Sequence, residues 1–95
     1  MRVFKWKLPA ASHFELTLPR GARLLTVQEQ RGELMLWALV DPEAPTETRD
    51  FRIAGTGHLI DEDANTLRYV GTVQMSNGSL VWHVFEIVSK AHGLN

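Results

Sequence analysis

Along most of the chain apolar and polar residues alternate, or apolar residues run together for only a few positions, and turn residues recur at short spacing. That pattern predicts several short β-strands and no helix, because no stretch repeats with the period of an amphipathic helix. Val3 to Leu8 puts Phe4, Trp6 and Leu8 on one face and Val3, Lys5 and Lys7 on the other. Pro9 ends it, since proline brings no N–H to a ladder. His13 to Leu18 repeats the alternation, with Phe14, Leu16 and Leu18 inward. After a Pro19-Arg20-Gly21 turn, Arg23 to Gln30 is a third strand whose expected buried side is Leu25 and Val27.

Gln30-Arg31-Gly32-Glu33 reads as a tight hairpin connection into Leu34 to Val40, which is apolar on both faces. Such a strand is either central in a two-layer fold or covered by a second subunit. A proline-stiffened loop, Asp41 to Pro45, precedes Glu47 to Gly55, where Phe51 and Ile53 share one face and Asp50 and Arg52 the other. Gly55 to Asn65 is the longest irregular connection. Leu67 to Met75 is a sixth strand, Asn77-Gly78 a type I′ turn signal, and Leu80 to Val88 a seventh strand. Lys90 to Asn95 is expected to be a frayed tail. Residues 1–95 are thus read as one all-β domain, about seven short, mainly antiparallel strands in a small sandwich or barrel. On the last strand Trp82 and Glu86 share one face and His83 and Phe85 the other, so each polar member needs a partner.

Composition narrows the classes. Ninety-five residues suit a single core, and ten Lys+Arg against eleven Asp+Glu leave a formal charge of −1, which argues against general nucleic-acid binding. No cysteine is present, which excludes disulfides, thiol catalysis and Cys-ligated zinc. The longest apolar run is too short to cross a bilayer, so no membrane association is expected. The first strand follows Met1-Arg2 without the apolar stretch of a secretory signal, and a reducing, cytoplasmic setting is the expectation.

Five separated stretches occur in order: Phe4-Lys5-Trp6-Lys7-Leu8, Gly21 to Gln28, Leu36-Trp37-Ala38-Leu39-Val40-Asp41-Pro42, Phe51 to His58, and Leu80-Val81-Trp82-His83-Val84-Phe85-Glu86. With them the sequence resembles a family of small bacteriophage and prophage proteins classed as a domain of unknown function. The resemblance spans nearly the whole chain. It implies a phage-associated setting, hence the host-cell cytoplasm, and a free-standing domain, but it supplies no catalytic residues.

Gly55-Thr56-Gly57-His58 is the most site-like stretch. Two glycines around a hydroxyl at a strand end let backbone N–H groups converge on a phosphate or carboxylate, with Thr56 and His58 adding donors. The structural alternative is a bend or bulge at the end of a strand. The spacing is neither a P-loop nor a dinucleotide fingerprint. His58 with Asp61, Glu62 and Asp63 offers nitrogen and oxygen donors but fits no standard metal site, and no metal or cofactor is expected. Trp6, Trp37, Trp82 and Tyr69 present large planar faces, whose default use is core packing. In the functional alternative a ring stacks on Trp37 or Trp82 while Arg49, Arg52 or Arg68 reaches its phosphates.

Enzyme chemistry is thinly supported: no serine lies in a G-x-S-x-G setting, and no spacing suggests a triad. The expected function is therefore non-enzymatic binding, in its sharpest form a counter-defence protein sequestering a small anionic, nucleotide-like ligand. Gly55, Thr56, Gly57 and His58 would hold the phosphate, Arg52 or Arg49 would add charge, and Trp37 or Trp82 would stack on the ring. The two strands apolar on both faces favour a homo-oligomer. The alternative is an interaction module, or a minor virion component, docking on a host or phage protein through an edge strand such as Val3 to Leu8. A hydrolase using His58 and the nearby acids ranks last.

Overall fold

The computed structural model describes residues 1–88; the expected tail from Lys90 to Asn95 lies outside the described residues. Seven strands form: β1 (Arg2–Lys7), β2 (His13–Pro19), β3 (Arg23–Gln30), β4 (Glu33–Val40), β5 (Thr46–Gly55), β6 (Leu67–Met75) and β7 (Leu80–Ile87). They make two antiparallel sheets, ordered β1-β4-β3 and β2-β5-β7-β6. The all-β expectation holds.

β4 is the centre of its sheet, which explains its apolar character. Leu34, Leu36, Ala38 and Val40 face the second sheet and are buried. On the outer face Met35 is buried and Trp37 and Leu39 are half-buried. A hydrogen bond from Lys5 Nζ to Gln30 Oε1 (2.7 Å) bridges β1 to β3 across that outer side. From the other sheet, Leu18, Phe51, Ile53, Val73 and Val84 complete the core, with Phe14 stacked on Phe51 at 5.4 Å.

Two hairpins follow their turn chemistry. Arg31 (φ 54°) and Gly32 (φ 83°) join β3 to β4, and Asn77 (φ 58°) and Gly78 (φ 88°) sit at the centre of the turn into β7, closed by Ser79 N–H donating to Ser76 O. Paired positive φ values are what a type I′ turn demands.

The third strand departs from simple alternation. Its register with β4 shifts between Leu24 and Thr26, so the bulge puts Leu25 outside, 46% exposed, while Leu24 packs on the core beside buried Val27. The expected inward Leu25 is thereby corrected. A second shift, between Tyr69 and Gly71, lets β6 close against β3: a Cβ on Gly71 would stand 2.9 Å from Val27 Cγ2. This side of the sandwich is closed, whereas on the other β1 and β2 are edge strands with no further strand paired to them among the described residues.

Because β7 lies between β5 and β6, those two strands run parallel, and residues 56–66 must return from the Gly55 end of the sheet to its Leu67 end. The long connection is a topological necessity. It ends in a single 3-10 turn, Ala64–Thr66, capped by Asp63, whose carboxylate accepts from Asn65 N–H.

Candidate functional site: an open cleft at the end of the sandwich

The sheets are not sealed where the β1–β2 loop, the β3–β4 hairpin and the end of β5 meet. Small residues gather there, Ala10, Ala11, Gly32, Ala54 and Gly55, and none has a side chain long enough to fill the space between the layers. The result is an open cleft of about 1040 Å³, at the upper end of the roughly 300–1,000 Å³ usual for small-molecule sites. Leu8, Leu34, Ile53, Met75 and Trp82 give it apolar walls; Lys7, Arg52 and His58 bring ionisable nitrogens to its lining, and Glu33, paired with Lys7 at 2.8 Å, brings a carboxylate.

At its edge lies the Gly55-Thr56-Gly57-His58 turn. His58 N–H donates to Gly55 O (3.0 Å) and Gly57 has φ 87°, so the backbone closes as a β-turn, and the bend foreseen as the structural alternative is present. The turn nonetheless delivers a side chain. The His58 ring lies directly on Gly55, where an added Cβ would stand 2.9 Å from Cε1 and 3.0 Å from Nδ1.

Thr56 faces the opposite side of the sheet. Its hydroxyl contacts His83 Nε2 (2.6 Å), His83 Nδ1 contacts Thr72 Oγ1 (3.0 Å), and Thr72 is hydrogen-bonded to the Tyr69 hydroxyl. His83, conspicuous in sequence as a polar residue on an apolar strand, thus finds two hydroxyl partners on the outer face.

Arg52, 8% exposed, is fully engaged. Its guanidinium donates to Ile53 O (2.8 Å), Leu59 O (2.9 Å) and Glu62 Oε1 (3.1 Å), pinning the return loop to β5. Glu62 Oε2 in turn meets His13 Nε2 at 2.5 Å, and His13 Nδ1 lies 3.3 Å from Ser12 Oγ. The His13 hydrogen bond, helped by Glu62's own backbone N–H and by Arg52, holds the Glu62 carboxyl below its usual pKa. Residues 49 positions apart in the chain are joined here, a pairing no local motif announces.

Arg49 is spent in the same way. Its Nε and Nη2 grip Glu86 at 2.6 and 2.9 Å, and Nη1 donates to Ala22 O at 2.6 Å. The hydrogen bond to the Glu86 carboxylate, itself 4% exposed, raises the Arg49 pKa against the opposing effect of burial, so the guanidinium keeps its charge. Arg68, largely exposed, adds a longer contact to Glu86 at 3.6 Å. Among the described residues no buried side-chain nitrogen or oxygen lacks a partner.

Of the residues singled out in sequence, the fold brings Gly55, His58, Arg52 and Trp82 to the cleft, with Gly57 in the adjoining turn. Thr56 looks away, the half-buried Arg49 is tied to Glu86, and Trp37 lies on the outer face of the other sheet. His58, Asp61, Glu62 and Asp63 do not converge: among the described residues no three His, Asp or Glu side chains form a metal-binding group. Sequence reasoning missed Lys7, Leu8, Leu34 and Met75, which look like ordinary strand residues until the two sheets are stacked.

A family model described as Domain of unknown function (DUF7352) matches residues 1–93. No curated protein and no solved structure matches the chain.

Proposed function

We propose, for a chain that belongs to this family of unknown function and takes no named activity from it, that the end cleft holds a small anionic ligand bearing a planar ring. The single observation that carries this reading is the pairing, in one open cavity, of an apolar wall with an imidazole set on its lip by a glycine-dependent contact. Trp82 and Met75 offer a polarisable surface to a ring. His58 offers a donor to an acidic group, beside Lys7, whose ammonium already pairs with Glu33.

Charge sets a limit on the ligand. Arg49 and Arg52 are neutralised within the fold, so little cationic charge is left to face the cleft. A ligand with one phosphate or carboxylate suits it better than a polyphosphate. Non-enzymatic sequestration of a nucleotide-like molecule fits these terms, and the phage setting, which rests on the sequence resemblance, gives such binding a purpose: removal of a host signal.

Isothermal titration with a panel of linear and cyclic mononucleotides tests the reading. Heat that is saturable in the wild type and lost in His58→Ala or Trp82→Ala supports it. Absence of heat across the panel defeats the nucleotide form. Turnover that disappears in His58→Ala would replace binding by hydrolysis.

A further inference from the structure

Among the described residues β1 pairs only with β4, and no strand pairs with its other edge. Its six residues make an unbroken register with β4, Arg2↔Val40 to Lys7↔Met35, with neither bulge nor proline to disturb the edge. In an antiparallel strand alternate residues turn their N–H and C=O groups away from the partner, so this edge presents a ready row of donors and acceptors.

The side chains give the edge a polarity. Arg2, Lys5 and Lys7 are its only charged residues, with no carboxylate in the strand. Val3, Lys5 and Lys7 stand on the outer face; Arg2, Phe4 and Trp6 stand on the inner one, where the two rings lie 6.2 Å apart and Phe4 is still 39% exposed. Lys7 shares Glu33 across an exposed, solvent-screened contact, and Lys5 bonds only the neutral Gln30.

We infer that the β1 edge is a docking strand for an extended acidic peptide, added antiparallel or parallel to it, in which carboxylates alternate with apolar residues. The carboxylates would face Lys5 and Lys7 and the apolar residues would cover Phe4 and Trp6, since side chains on an added strand alternate between the same two faces. Charge complementarity selects this occupant over a second copy of the chain: two β1 edges together would hold six cations and no carboxylate. This edge shares Lys7 with the rim of the end cleft but not Phe4, Lys5 or Trp6, and mononucleotide titration of the Lys5→Glu, Lys7→Glu double variant tells the two sites apart.

The test uses the whole protein and a fluorescent Glu-Val-Glu-Val-Glu-Val peptide, read by anisotropy at fixed salt. Binding is expected to exceed that of the Lys-Val counterpart and to weaken roughly tenfold in the Lys5→Glu, Lys7→Glu double variant. N-methylating alternate peptide nitrogens separates strand pairing from charge alone, with no change to the protein. Methylation in one of the two phases should abolish binding and in the other should spare it. Equal binding by both methylated peptides, equal binding of the Lys-Val peptide, no binding up to millimolar peptide, or tighter binding of an oligothymidylate of similar length would each overturn the inference.

Discussion

The imidazole of His58 rests on the α-carbon of Gly55, three residues earlier, with no room between them for a methyl group. That contact is the hinge between a turn that is ordinary in its backbone and a side chain placed on the lip of the cleft. Gly55 is not in the left-handed region, so alanine is tolerated by the backbone there and only the ring must move.

Gly55→Ala should therefore fold, lose modest stability, and weaken ligand binding about as much as His58→Ala does. Titration calorimetry beside thermal melting separates these effects. Unaltered affinity in Gly55→Ala, with altered affinity in His58→Ala, would show that the ring's position over the glycine is immaterial.

The pairing of half-buried Arg49 with buried Glu86 should dominate the mutational cost among the polar residues. Arg49→Met leaves a nearly inaccessible carboxylate whose remaining cationic contact among the described residues is the exposed Arg68, at 3.6 Å. A loss of about 3–5 kcal/mol is expected on urea unfolding. Replacing both, Arg49→Met with Glu86→Leu, should restore much of it. A double variant no more stable than the single one would contradict this.

Glu62 gives a pH signature. Its carboxyl, ordinarily near 4.5, is held lower in the folded protein, first by the His13 hydrogen bond. A depressed folded pKa contributes stability that is complete above the unfolded value and fades as pH falls through the folded one. The stability difference between wild type and Glu62→Gln should be steady above about pH 5.5 and shrink in more acidic solution. Denaturant midpoints across that range measure it, and a difference constant down to pH 3 would rule it out.

Closure of the sandwich on the β3–β6 side depends on Gly71. An alanine there meets Val27 Cγ2 at 2.9 Å, and a β-branched side chain has little freedom to yield. A destabilisation of about 1–3 kcal/mol is expected, partly recovered by Val27→Ala in the same chain. Full stability in Gly71→Ala would mean that the sheets are looser there than the geometry states.

Much of the fold was legible because strand signals are local. Alternation located the strands, and Arg31-Gly32 and Asn77-Gly78 marked the turns that demand positive φ. Leu25 was misread because a bulge shifts the parity of every residue on one side of it, and nothing in Leu24-Leu25-Thr26 announces the extra residue. The need of Glu86 and His83 for partners was legible; the partners, Arg49, Thr56 and Thr72, come from other elements and required the sheet order. For the same reason Arg49 and Arg52 read in sequence as free cations. The cleft itself is written in small residues from two connections and the end of a strand, and small residues carry no periodic signal.

The most direct measurement is an amide and side-chain NMR titration of the labelled protein with the tightest-binding mononucleotide of the panel. Shifts should concentrate at Leu8, Leu34, Ile53, His58, Met75 and the Trp82 indole, leaving Trp37 and the Thr56–His83–Thr72 array unmoved. Saturating shifts confined to the outer faces, or none at all at His58 and Trp82, would contradict a binding site in the cleft.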